Sequence, residues 1–287
     1  MAGILTIVVT FNGMEWIGRC LGSVLSSVVH SDVMVIDNCS EDGTPDWVAE
    51  HFPDVILVRN ESNAGFADAN NTGFRYALQH DYGYVYLLNQ DAWVFPETFT
   101  TLIRVCEASA DAGILSPMQM ASNLTEMDAQ FAKHCGKQLR GSTEEVVRVP
   151  FVMAAHWMIS RECLQKVGAF SPSFPHYGED NNFIDRAAFH GFEAVVVKTA
   201  MAVHDRGSRP RPKSYRMNLK CINSRVAVAD PRKVPAVSLL LQTAQLFIMG
   251  ILHFSTIPWK GIGELWSAFP ELKKTRLASK MEEAFLD

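Results

Sequence analysis

A C-x-x-C pair is absent from this chain of 287 residues, and its six cysteines (Cys20, Cys39, Cys106, Cys135, Cys163 and Cys221) are widely scattered. That spacing excludes a zinc ribbon or dithiol redox centre and reads as reduced core thiols. Positive charge is also short: 26 Lys and Arg face 31 Asp and Glu, a formal net charge of -5. No global attraction to nucleic acid is expected, and no basic-aromatic arrangement suggests it locally. Neither G-x-x-x-x-G-K-[ST] nor G-x-G-x-x-G follows the first apolar run, which removes P-loop kinases and dinucleotide dehydrogenases. "TFNGMEW" carries no basic residue, so a nucleotidyltransferase phosphate loop is disfavoured as well. There is no internal repeat and no low-complexity tract. The chain enters "ILTIVVTF" after Met1, Ala2 and Gly3, without the basic start and cleavage site of a secretory signal, so a cytoplasmic protein is expected.

What is present is a 48% hydrophobic sequence, enough for a full core. Short β-branched runs alternate with helix-period segments over residues 3–117, the pattern of a parallel sheet covered by helices. "LTIVVTF", "VMVID", "VILV", "YVYLL" and "GILSP" read as strands. Between them, a helix is expected from about Gly13 with Asn12 as its cap, and others from Thr44–Pro45, after "NAGFADANNTG" and from Pro96 to Ala108. Residues 118–149 look polar and irregular, a crossover or substrate loop. "FVMAAHWMI" then reads as a strand, "RECLQKVG" and "DNNFIDRAAFHG" as helices, and "EAVVV" as a strand.

In an open parallel sheet, ligands bind beyond the carboxyl ends of the strands. Here those ends carry Thr10 and Asn12, then Asp37 with Asn38, Ser40 and Asp42, then Asn60, then Asn89 and Asp91. Amides, hydroxyls and carboxylates are ordinary turn residues singly; together on one edge they suit the base and ribose of a nucleoside. Without a P-loop, a diphosphate needs another counter-charge. Mg²⁺ or Mn²⁺ held by Asp91 would supply it, since such sites take one or two carboxylates, phosphate oxygens and water. His204, at the end of an apolar run, is placed to complete that shell.

A second acidic cluster, "HYGEDNNFIDR", sets Glu179 and Asp180 at a helix start. Acids there commonly complement the helix dipole. The tight approach through Phe174, Pro175, His176, Tyr177 and Gly178 instead suggests a shaped pocket, and Asp180 is the candidate general base for an acceptor hydroxyl. Arg206, Arg209, Arg211, Lys213, Arg216 and Lys220 form a proline-interleaved basic run, readable as a solvated loop, a diphosphate clamp or a contact for anionic lipid.

"IVVTFNG", "VMVIDNCSEDGT", "NESNAGFADANNTGF", "LLNQDAWVFPETF", "VGAFSPSFPHYGEDNNFIDRAAFHGF" and the histidine of "AVHD", in that order over residues 4–205, resemble the family 2 glycosyltransferases of the GT-A fold, in particular their bacterial rhamnosyltransferase-like branch. The resemblance implies inverting transfer of a sugar from a nucleotide-diphospho-sugar, dTDP-rhamnose or a UDP-sugar, to an acceptor hydroxyl in cell-envelope polysaccharide synthesis. It implies that Thr10, Asn12, Asp37 and Asn63 hold the nucleoside, that Gly65 and Asn70 line the donor side, and that Asp91 is the last acid of a D-x-D metal motif. His204 would be the further metal ligand, Asp180 the base, and Glu179 the residue orienting the acceptor. Asn89 replaces the first acid of D-x-D, and Asn182 stands where the branch often has an acid. A non-catalytic nucleotide-sugar-binding scaffold is the alternative that Asn89 supports.

The expected architecture is an α/β GT-A fold with a mostly parallel central sheet. A nucleotide-sugar-binding half spans 1–117, an acceptor-binding and catalytic half 118–230, and a helical C-terminal extension 231–287. Residues 234–259 carry no formal charge, long enough to span a membrane. Gln242, Gln245, Ser238, Thr243 and His253 interrupt that stretch, and Pro235 and Pro258 bracket it, favouring a buried or membrane-surface helix. The expected partners are the donor, a saccharide or lipid-linked acceptor, and the inner membrane by peripheral contact; a homo-oligomer is compatible with the same letters.

Overall fold

The computed structural model describes residues 3–206 and 212–286; Arg209 and Arg211 of the basic run lie outside them. The chain begins with β1 (Ile4–Thr10), α1 (Ile17–Leu25), β2 (Asp32–Asp37), α2 (Thr44–His51), β3 (Ile56–Arg59), α3 (Gly65–Gln79) and β4 (Tyr84–Asn89). β1 pairs in parallel with β2 and β4, and β2 with β3. Both faces of these strands are covered, which is why they read as continuous apolar runs rather than alternating ones. Leu5, Ile7, Met34, Ile36 and Leu87 join the core under α3, while Ile4, Val8, Val33, Val35 and Leu88 join the core under α1.

The second half adds β5 (Ala92–Val94), α4 (Thr98–Ala108), β6 (Ala112–Met120), α5 (Ala129–Arg140), β7 (Val146–Arg148), β8 (His156–Ser160), α6 (Arg161–Val167), α7 (Glu179–Phe189) and β9 (Glu193–His204). The sheet runs β3-β2-β1-β4-β8-β6-β9-β5, with β7 also on β9. β8 is antiparallel to both β4 and β6, β6 and β9 are parallel, and β5 and β7 are antiparallel to β9. One sheet therefore passes through both halves of the chain. α8 (Lys213–Ala229), α9 (Pro235–His253) and α10 (Ile257–Ala278) close the structure around a separate core of Phe174, Val226, Leu239, Leu246, Leu265 and Leu272.

Several local expectations are corrected. Asn12 is no helix cap: it adopts a left-handed backbone (φ 51°), and α1 starts only at Ile17 after Trp16. Residues 118–149 are ordered, holding the end of β6, α5 and β7. Asp128 caps α5 by accepting from the Gln130 and Phe131 amides, and Phe131, Cys135 and Leu139 recur at helical spacing on its buried face. The intervening polar residues hid that stripe. Ladder pairing in "FVMAAHWMI" starts only at His156. β6 outruns "GILSP" at both ends and tolerates Pro117 because β8 pairs only with Ile114 and Leu115.

α3 lies unusually close to β1: a Cβ on Gly73 would meet Ile7 Cδ1 at 2.3 Å and Cγ1 at 2.7 Å. Alanine would normally favour a helix interior, but here overpacking outweighs propensity. Gly73→Ala should cost about 1–3 kcal/mol in urea denaturation; a gain in stability would show that the contact relaxes freely.

Candidate active site

The strand tips are held by side-chain hydrogen bonds before any ligand is considered. At the end of β2, Asp37 Oδ1 accepts from Thr10 Oγ1 (2.7 Å) and Ser40 Oγ (2.6 Å), and Oδ2 accepts from the Ser40 amide (2.8 Å). Asn12 spans the same gap: its amide donates to Ser40 Oγ and its Oδ1 accepts from the Glu41 amide. Asn60 Nδ2 donates to Asn38 Oδ1 at 2.8 Å, and Asn38 Nδ2 donates to the Gly65 carbonyl at 3.1 Å. Asn63 Oδ1 accepts from the Gly65 amide at 2.9 Å. Thr10, Asn12, Asp37, Asn63 and Gly65 thus share one edge. Asn70 sits deeper, buried in α3 with its Nδ2 donating to the Phe66 carbonyl.

After β4, three consecutive polar side chains diverge. Gln90 grips the turn after β1, accepting from the Phe11 amide (2.8 Å) and donating to its carbonyl (3.2 Å). A Cβ on Gly13 would fall 2.5 Å from Gln90 Oε1, so a larger residue there would push this side chain aside. Sequence reasoning gave Gln90 no role; only the neighbouring strand shows its target.

Asn89 and Asp91 turn the other way. β5 pairs with the end of β9 so that Ala92 faces His204, and the Asp205 amide donates to the Asp91 carbonyl at 2.8 Å. This brings Asp91 Oδ1 within 3.2 Å of buried His204 Nε2, and the Asn89 amide within 3.4 Å of the same nitrogen. Burial works against ionisation of Asp91, but the hydrogen bond and charge of His204, then the charge of Arg206, hold its carboxyl below the ordinary value. Arg206 Nε donates to His204 Nδ1 at 3.2 Å, which leaves the ring proton of a neutral imidazole on Nε2, facing Asp91.

One carboxylate oxygen and one imidazole nitrogen converge at this point. Among the described residues no group of three or more His, Cys, Asp or Glu side chains gathers as a metal cage. Two protein donors fit a Mg²⁺ or Mn²⁺ site completed by diphosphate oxygens and water.

A cleft of about 630 Å³ opens beside this pair, and Asn89, Met153, Arg206, Glu179 and Asp180 are among the residues that line it. The loop carrying the acids is wedged between elements. A Cβ on Gly65 would stand 3.0 Å from the Pro175 carbonyl, and one on Gly178 would stand 2.9 Å from Ile222 and Val226 of α8. Tyr177 (φ 63°) and Gly178 (φ 93°) both adopt left-handed backbone just before α7, strain of the kind that tight packing sustains near functional sites.

Burial raises the carboxyls of both Glu179 and Asp180, and the charge of Asp180 pushes Glu179 further. Hydrogen bonds from the Asn181 amide and side chain, and the charge of Arg206, work back on Asp180. Asp180 is therefore the member of the pair better able to stay ionised. Glu179 Oε2 is buried without a hydrogen-bond partner. Lys133 and His134 of α5 and Arg216 and Lys220 of α8 also line the cleft. The two α5 residues escaped the sequence because their helix did.

Asn182 does not line the cleft. It is buried, its Oδ1 accepting from Arg186 Nε at 3.2 Å, while Arg186 donates to the carbonyls of Val167 and Ala169. Burial lowers the Arg186 pKa to about 9.

The family model described as Glycosyl transferase family 2 matches residues 6–168. The chain belongs to this family. The family 2 chain is 30% identical over 213 residues to a polyprenol monophosphomannose synthase of Mycolicibacterium smegmatis, covering 71% of this chain and 78% of that protein. It is 33% identical over 103 residues to an undecaprenyl-phosphate mannosyltransferase of Micrococcus luteus, spanning 35% of this chain and only 42% of that relative. Among solved structures, the mannosyltransferase PcManGT from Pyrobaculum calidifontis, in complex with GDP-Man and Mn²⁺, superposes with a TM-score of 0.61 at 20% identity over 97% of this chain and 74% of that one. S. aureus TarS 1-349 in complex with UDP-GlcNAc gives 0.63 at 14% identity over 97% and 84%. The fold is the GT-A glycosyltransferase fold.

Because Asn182 Nδ2 is buried without a partner and, among the described residues, Arg186 donates to an amide oxygen and two carbonyls rather than to a carboxylate, Asn182→Asp should raise stability. A gain of about 1–2 kcal/mol by thermal or urea unfolding is expected for a hydrogen bond to a charged group, with nucleotide binding unchanged. A loss would mean that burying the new carboxylate outweighs the ion pair.

Proposed function

We propose that this family 2 protein transfers a hexosyl group from a nucleotide-diphospho-sugar to a hydroxyl of a saccharide or lipid-linked acceptor, with inversion at the anomeric carbon. The observation that carries the reading is one cleft lined both by Glu179 and Asp180 and by Asn89 and Arg206, the two residues that adjoin the Asp91–His204 pair. An inverting displacement needs a carboxylate on the acceptor side and charge neutralisation on the leaving side.

In this reading the nucleoside rests against the tips bearing Thr10, Asn12, Asp37 and Asn63, with Gly65 and Asn70 on the donor side. Among the described residues Asp37 Oδ2 accepts a single hydrogen bond, which leaves an acceptor position for the ligand. Asp91 and His204 would hold Mg²⁺ or Mn²⁺, which would offset charge on the diphosphate; Arg206 would first release His204 Nδ1. Asp180 takes the proton of the acceptor hydroxyl as its oxygen bonds to the anomeric carbon and the bond to the diphosphate breaks. Glu179, protonated beside it, orients the acceptor.

The carboxyl pair favours a hydroxyl acceptor. A phosphate monoester is already an oxyanion, needs no base and would be repelled by Asp180. The names of the two relatives and the cations Lys133, Arg216 and Lys220 around the cleft favour a second reading, transfer to a lipid phosphate. The donor sugar is a hexose; rhamnose is the branch's suggestion and mannose that of the relatives' names. We place the reaction on the cytoplasmic face of the membrane, in keeping with six free cysteines.

Asp180→Asn should bind donor nucleotide normally and lose transfer by roughly 10²–10⁴-fold, whereas Asp91→Ala should lose metal-dependent nucleotide binding. Transfer to a polyprenyl phosphate that survives Asp180→Asn would select the second reading. Because the Asp180 carboxyl is raised, the acid limb of the rate profile should lie above that of an ordinary aspartate, with rate falling as the pH drops through it. The same shift sets the sign for stability: a raised carboxyl favours folding below its unfolded pKa and loses that contribution as the pH rises through the folded value. Asp180→Asn should therefore melt higher than the parent at pH 8, the gap closing in acid.

Calorimetric titration with UDP, dTDP and GDP, each with Mn²⁺, Mg²⁺ or EDTA, tests the donor site directly. One nucleotide should bind only with metal. No binding under any condition by folded protein would sink the transferase reading and leave only a scaffold that binds no nucleotide.

A further inference from the structure

Among the described residues the outer face of α9 is left largely uncovered, with only Trp259 packing on Phe247. Val237, Leu240, Leu241, Phe247, Ile248 and Ile251 are 48–62% exposed and lie along one stripe, with exposed Ala244 between Leu241 and Phe247, while Leu239 and Leu246 opposite them are buried against α8 and α10. At its end, Phe254 is 97% exposed and held in a left-handed backbone (φ 46°), a costly place for a large apolar side chain in water. Contiguous apolar surface of this kind marks an interaction site.

Three observations favour a lipid bilayer as the occupant. Two half-exposed tryptophans edge the stripe: Trp259 packs edge-on against Phe247 at 4.9 Å, and Trp266 Nε1 donates to Thr243 Oγ1 at 3.0 Å. An indole with its N–H satisfied and its ring outward suits the headgroup boundary. A cation adjoins the stripe: a second groove of about 430 Å³ is lined by Leu246, Ile248, Met249 and Leu252 of α9 and by Lys220 and Asn223, which also line the catalytic cleft. A phosphate at Lys220 would therefore have hydrocarbon on one side and the cleft on the other. Finally, residues 234–259 offer no acidic group to the cations of a second copy.

We propose that α9 lies in the plane of the membrane surface with this stripe immersed, while Arg216 and Lys220 meet anionic headgroup phosphates and open the cleft toward lipid-borne acceptors. α9 is long and apolar enough to cross a membrane, but it does not leave its neighbours to do so. α10 runs back beside it, Trp259 against Gly250 and Trp266 against Thr243, and carries Glu264, Glu271, Lys273 and Lys274. A span would carry those charges into hydrocarbon. In-plane docking requires only the exposed face. The reach toward acceptors rests on the proposed transfer, whereas the docking itself rests on the surface alone, so its test needs no nucleotide.

The test is flotation of the full chain with phosphatidylcholine vesicles containing phosphatidylglycerol, with and without salt, and with phosphatidylcholine alone. The protein should float with the anionic vesicles, less well in salt, and should be released by alkaline carbonate without detergent. Leu241→Glu with Ile251→Glu, both on the solvent face, should lower the bound fraction ~10-fold or more. Phe254→Asn guards against a folding artefact: it relieves the left-handed strain and should raise the melting temperature in solution while weakening flotation. The proposal is overturned if the parent does not float, if the glutamate variant floats equally, or if release demands detergent. It is equally overturned if light scattering shows a parent dimer that the glutamates dissociate without vesicle binding, because a second copy then covers the face.

Discussion

The short antiparallel ladder between Ala92–Val94 and Ala202–His204 is the constraint on which the site depends. Asp91 and His204 are separated by more than a hundred residues, and neither side chain could find the other by local preference. Backbone pairing sets their register, and the Asp205 amide on the Asp91 carbonyl closes it. Once the ladder forms, a half-buried carboxylate faces a buried imidazole, and Arg206, two residues beyond the strand, caps the other ring nitrogen.

Charge in the cleft is mostly separated by element, although Arg206 Nε also stands 3.7 Å from Asp128 Oδ2. Carboxyls stand at the start of α7, and cations come from α5, the end of β9 and α8. The carboxyl pair is buried enough that ionisation is costly, and the Asn181 hydrogen bonds favour Asp180 as the member that carries the charge. This arrangement opposes stability and suits proton transfer, the trade that polar groups in active sites commonly make.

The C-terminal helices are structurally coupled to that pair. Phe174, at the head of the loop, packs in the same core as Leu239, Leu246 and Leu265, and Gly178 abuts Ile222 and Val226. Ser173 Oγ meets Thr275 Oγ1 at 2.6 Å on the same side. α8 to α10 therefore support the acid-bearing loop from behind while turning an apolar stripe outward. Whatever covers the stripe bears on a bundle that touches the loop.

The alternation of β-branched runs and helix-period segments, the polar strand tips and the order of the motifs were legible in the letters alone, because apolar periodicity and turn chemistry are local properties. So was the nature of Asp91, Glu179, Asp180 and His204 as candidates. Pairing partners and burial were not. Asn12 reads as a cap until its backbone proves left-handed; α5 hides among polar residues because its stripe is only three side chains; Gln90 has no visible purpose without Phe11 beside it. Asn182 resembles a site position in sequence, yet it points into the core toward Arg186. Composition and period determined which elements form and where their polar ends fall. Only the tertiary structure decided which ends meet, because long-range register is set by packing between strands far apart in the chain.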